Sequence, residues 1–113
     1  MKAMTKRGMI ILLGMTLALS SALADETAAI TITVKDGTFI PAEITGPANA
    51  KFKLVLRNEG KEAEEFESVE LNREKVVAPG KSATIFLGPL KPGTYGFFGE
   101  FHPTTAKGTL VIK

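Results

Sequence analysis

The sequence of 113 residues has no cysteine, no tryptophan, one tyrosine and one histidine. Without cysteine there is no disulfide staple, no dithiol redox motif and no thiol for lipid attachment, so the core of the domain must hold on packing alone. A single histidine leaves no room for paired acid–base chemistry. No serine–histidine–aspartate arrangement, phosphate-binding loop or internal repeat accompanies it, and no enzyme constellation emerges. Methionine occurs only at Met1, Met4, Met9 and Met15, and acidic residues are missing from the first 24 positions.

That first segment is a different object from the rest. Lys2, Lys6 and Arg7 precede the apolar run Met9–Leu19, and small residues follow, ending Ala22-Leu23-Ala24. This three-part pattern predicts a signal peptide over residues 1–24, cleaved after Ala24 and directing the protein to the periplasm. The run is shorter than the roughly 20 residues a membrane span needs, so the exported chain is not expected to be membrane-embedded. The remainder, Asp25–Lys113, carries eleven basic and twelve acidic groups. The overall isoelectric point near 9.0 therefore reflects the leader, and nucleic acid is not an expected partner.

Residues 25–113 predict one all-β domain. Ala29–Val34 and Lys51–Arg57 alternate apolar and polar residues, with Phe52, Leu54 and Leu56 on one face. Further strands are predicted at Ser82–Leu87, Thr94–Phe98 and Thr109–Ile112, each bounded by turn signals such as Pro79-Gly80, Pro92-Gly93 and Lys107-Gly108. Turns at this frequency indicate a β-sandwich. Glu59–Val77 is ambiguous. Its Glu and Lys content and the spacing of Ala63, Phe66 and Val69 give helix by local propensity, whereas Glu65-Phe66-Glu67 alternates as a short strand would.

The run Gly93–Pro103, closing through Lys107–Lys113, resembles the cupredoxin family, as do Phe39-Ile40-Pro41 and Asn58. The resemblance spans about Ala29 to Lys113 and implies a Greek-key β-sandwich. His102 matches the family's C-terminal histidine, Gly99 stands in place of its cysteine, Thr104–Lys107 lacks its methionine, and its first histidine falls on Glu64 or Glu65. A blue copper centre needs two imidazoles and a thiolate with a weak axial ligand, so a type 1 centre is excluded.

Within the family, Glu65–Ser68, Glu74–Val77, Gly88–Gly93 and Phe97–His102 are similar to the small periplasmic cupredoxin-domain proteins of bacterial ferrous-iron uptake systems. That resemblance implies metal handling beside an inner-membrane iron permease or a periplasmic iron-binding partner. By carry-over, Glu65 takes the first ligand position, His102 keeps its own and Glu100 stands beside the vacant cysteine site. Glu67 shares a strand face with Glu65, because side chains alternate with period two. One imidazole with carboxylates suits a divalent ion such as Fe²⁺ or Cu²⁺ and disfavours Cu⁺.

Three functions stay open at this point: a metal-binding uptake protein, a ferroxidase component oxidising bound Fe²⁺, and a metal-free interaction module. His102 beside Pro103 also reads as a solvated loop residue. Seven of the twelve acidic residues fall between Glu59 and Glu74, and such a run also reads as a solvated face. Phe97 is expected in the core, with Phe98 or Phe101 outward.

Overall fold

The computed structural model describes residues 27–113, which contain nine β-strands and no helix. The expected leader and its cleavage point lie outside the described residues. The strands are β1 Ala29–Lys35, β2 Thr38–Ile40, β3 Glu43–Gly46, β4 Phe52–Asn58, β5 Glu64–Ser68, β6 Arg73–Val77, β7 Ser82–Leu87, β8 Gly93–Gly99 and β9 Lys107–Ile112. They form two layers, a four-stranded sheet in the order β2-β1-β4-β7 and a five-stranded sheet in the order β3-β9-β8-β5-β6. In each sheet one parallel pair, β1 with β4 or β3 with β9, accompanies antiparallel neighbours.

Alternation along the strands builds the core. Ile32 and Val34 of β1, Phe52, Leu54 and Leu56 of β4, Ile85 and Leu87 of β7, and Leu110 and Ile112 of β9 all turn inward and are buried. Their neighbours Thr31, Arg57 and Phe86 are exposed. This is the period-two signature of a sandwich whose outer faces are solvated. Phe39, Phe66 and Phe97 form an aromatic cluster, with centroids 5.1 Å apart for Phe39–Phe97 and Phe66–Phe97 and 6.3 Å for Phe39–Phe66. Phe97 needs a glycine opposite it, since a Cβ at Gly108 would lie 2.4 Å from the Phe97 ring.

The ambiguous segment resolves as two antiparallel strands. Helical propensity loses there because Phe66, buried to 1% exposure, pairs opposite Gly99 of β8, while Val69, which a helix would have placed beside it, is 81% exposed. Ser68 closes the strand: its hydroxyl donates to the Gly96 carbonyl and accepts from the Leu71 amide. The short strands β2 and β3 alternate too, with Phe39, Ile44 and Gly46 buried, but three or four residues are too few to announce a strand in the sequence. Asp36-Gly37 nevertheless makes a two-residue hairpin turn between β1 and β2, with φ of 50° and 72°, a conformation that favours glycine.

The core makes a direct prediction. Phe66→Ala should cost about 3–5 kcal/mol, whereas Phe86→Ala, on the solvated face of β7, should cost under about 0.5 kcal/mol. Chemical denaturation of both variants checks this, and equal losses would contradict the layer assignment.

Candidate functional site

The strand parity that buries Phe66 also buries its neighbours on the same face, Glu64 and Ser68. Glu64 is 1% exposed, and a carboxylate taken out of water requires donors. It has three. Oε1 accepts the backbone N–H of Glu65 at 3.1 Å and of Phe101 at 3.0 Å. Oε2 lies 2.6 Å from Nδ1 of His102. With Oε1 occupied by two backbone donors, Oε2 is left to the imidazole.

His102 sits in the loop 100–106 between β8 and β9. Its N–H donates to the Gly99 carbonyl, and its own carbonyl accepts from Thr105 and Ala106. Thr105 Oγ1 donates to the Gly37 carbonyl, fastening this turn to the β1–β2 hairpin. The imidazole lies against Gly37, where a Cβ would approach its carbons to 3.1 Å. On the other side of the ring, Nε2 is 3.3 Å from Oε1 of Glu62. A cavity of about 240 Å³ opens there, lined by Asp36, Asn58, Lys61, Glu62 and His102 among others.

The loop carrying Glu62 is held by the buried Asn58. Its amide donates to the carbonyls of Glu62 and Val77, and its side-chain oxygen accepts from the Gly60 amide. The hydrogen bond from His102 to Glu64 is the main cause that raises the imidazole pKa above 6.5. Partial burial opposes the rise, and the charges of Glu64 and Glu62 add to it.

The residues expected to form one site separate onto two faces. His102 meets Glu64, not Glu65. Glu65 and Glu67 do share a face, but because Phe66 is core that face is the outer one, where they join Glu74 of β6 with one carboxylate oxygen from each within 4.8 Å of the others. Glu100 belongs with this outer group: its amide donates to the Glu65 carbonyl, and its charge helps to raise the Glu67 pKa. Partial burial is the larger cause of that rise, followed by repulsion from Glu74 and Glu65. Glu62 and Gly37 did not emerge from sequence reasoning. Glu64 was within reach of it, since once Phe66 is assigned to the core, period two places Glu64 beside it.

The comparisons with known proteins agree with this architecture. A family model described as Cupredoxin-like domain matches residues 8–112. The chain belongs to that family. An uncharacterized protein of Rickettsia prowazekii (strain Madrid E) is 43% identical over 89 residues, covering 79% of this chain and 71% of that protein. Among solved structures, auracyanin B superposes with a TM-score of 0.66 at 16% identity, covering 79% of this chain and 92% of its own. The dithionite-reduced auracyanin of the photosynthetic bacterium Roseiflexus castenholzii gives 0.62 at 15% identity, with 78% and 98% covered. At these identities the structural likeness shows the fold alone.

The cupredoxin family binds copper, and the donor set here does not fit a type 1 centre. The chain has no thiolate, and methionine is confined to its first 15 residues. At Gly99 a side chain would have no room: its Cβ would fall 2.7 Å from Cδ of Glu64 and 2.8 Å from Cβ of Ala106. The Glu64 carboxylate fills the space in front of Gly99.

Two predictions follow from this packing. Gly99→Ala should cost about 1–3 kcal/mol by overpacking, and Gly99→Cys should lose stability similarly without giving a blue thiolate–copper absorption on Cu²⁺ addition. A stable variant with that band would refute the account of Glu64. His102 should also shape the pH dependence of stability. Because its folded pKa is raised, its contribution is fully present below 6.5 and is lost as pH rises through the higher folded value. Melting curves between pH 5 and 9 should show that loss in wild type and a flatter profile in His102→Gln; parallel profiles would argue against the ion pair.

Proposed function

We propose that this cupredoxin-like protein works in the periplasm, taking up a divalent ion, Fe²⁺ or Cu²⁺, as cargo and assisting iron uptake by an inner-membrane permease. The observation that carries the proposal is the locked imidazole of His102 between two carboxylates, Glu64 at 2.6 Å and Glu62 at 3.3 Å. Nitrogen and carboxylate donors without sulfur suit divalent iron or copper and disfavour Cu⁺.

Charge and surface shape support the same reading. The outer carboxylates Glu65, Glu67, Glu74 and Glu100 draw cations to the same sheet by their summed field. Phe101 is 49% exposed next to His102, where a partner protein would meet the ion. A shallow apolar groove along β8 and β9, with Val69, Phe98 and Pro103 in its lining, extends the surface available to that partner. No helix among the described residues is long and apolar enough to cross a membrane.

Thermal unfolding of the purified protein with and without Mn²⁺, Cu²⁺ and anaerobic Fe²⁺ tests the reading. An ion present at 100 times its dissociation constant should stabilise by about 2.7 kcal/mol, a rise in Tm of about 10–20 °C for a domain of this size. His102→Ala should abolish the rise. Absence of any shift in wild type with all three ions would overturn the proposal.

A further inference from the structure

His102 is tied down at every point but one. Nδ1 is held by Glu64, the ring face rests on Gly37, the backbone N–H and carbonyl are bonded within the turn, and Thr105 fastens that turn to the β1–β2 hairpin. The remaining atom, Nε2, faces Glu62 at the polar cavity. Such rigidity around one outward-facing ring nitrogen is how proteins prepare an imidazole ligand: a carboxylate on the far nitrogen fixes the tautomer, the ring orientation and the basicity of the other.

Distances separate the two sides of the ring. At 2.6 Å, Nδ1 and Glu64 Oε2 are at hydrogen-bond separation. Two ligands bound at about 2.0–2.2 Å to one tetrahedral ion lie roughly 3.3–3.5 Å apart, so an ion between them would have to push the buried Glu64 away. Nε2 and Glu62 Oε1, at 3.3 Å, already have the spacing of two ligands on one ion. Glu62 is a solvent-facing side chain, 77% exposed, on a loop whose backbone Asn58 pins through the Glu62 carbonyl.

We propose that the ion binds on the outward side of the ring, to His102 Nε2 and the Glu62 carboxylate, and that Glu64 is a positioning residue that keeps the proton on Nδ1. This deepens the metal-uptake reading and rests on it. Two protein ligands leave the remaining coordination positions to water or to donors of a receiving protein, which makes the site suited to handing an ion on. Glu65 and Glu67 on the outer face of β5, with Glu74 beside them on β6, take no part in it.

Zn²⁺ titration by calorimetry, Mn²⁺ paramagnetic broadening and ¹⁵N imidazole NMR at pH 8 test this on the purified protein. E62Q should weaken Zn²⁺ binding about tenfold while leaving the fold intact, since its side chain is exposed. The triple variant E65Q/E67Q/E74Q should lose only the long-range attraction, an effect of less than about threefold that vanishes in high salt, and should keep the ion at His102. Mn²⁺ should broaden amides near Glu62 and His102 and spare those of β6. In the metal-free protein the ring proton should sit on Nδ1, and E64Q should disturb that signature and weaken binding about 10–100-fold.

Unchanged affinity in E62Q with loss in the triple variant would overturn this site while leaving metal uptake standing. A neutral ring protonated on Nε2 would overturn the role of Glu64. Wild-type protein that binds no ion at all would overturn both the site and the metal-uptake reading.

Discussion

Burying one carboxylate organises the end of this sandwich. Glu64 enters the core because β5 alternates, and a buried carboxylate is tolerated only where donors meet it. Those donors come from Glu65, Phe101 and His102, so the turn after β8 must close in a particular way over β5. Gly99 must lack a side chain, because the carboxylate fills the space in front of it. The histidine orientation, the closure of the β8–β9 loop and the lack of room for a side chain at Gly99 therefore share one physical cause.

The same parity divides the acidic segment into two electrostatic objects. Residues facing inward on β5 are satisfied one by one through hydrogen bonds. Residues facing outward, Glu65 and Glu67, are set beside Glu74 on β6 without matching cations, and repulsion among them adds to partial burial in raising the Glu67 pKa. The inner group provides geometry at a single imidazole, and the outer group provides a negative field over one sheet.

Much of the architecture was legible in the alternation of β1, β4, β7, β8 and β9, whose buried residues are mostly aliphatic or aromatic. Glu59–Val77 was not, because Glu and Lys favour helix locally and the segment's strand character comes from pairing with β8, a contact far away in sequence. The candidate site was legible in its histidine and in its composition. Its partner carboxylate was displaced by one residue, since carry-over from the family pointed to Glu65 while strand parity, read outward from Phe66, points to Glu64. Glu62 carries no local signal, being an exposed residue in a charged loop.

By itself the sequence determined that no thiolate is available, that the domain is a sandwich of short strands held without disulfides, and that His102 is the chain's one imidazole. Those conclusions need only residue identities and a period of two. Which carboxylates reach that imidazole, and on which nitrogen, was decided by tertiary structure. Glu62, Glu64, Gly37 and His102 come from three separate stretches of chain, and only the packing of the two sheets, with Asn58 and Thr105 fastening the loops between them, sets their separations.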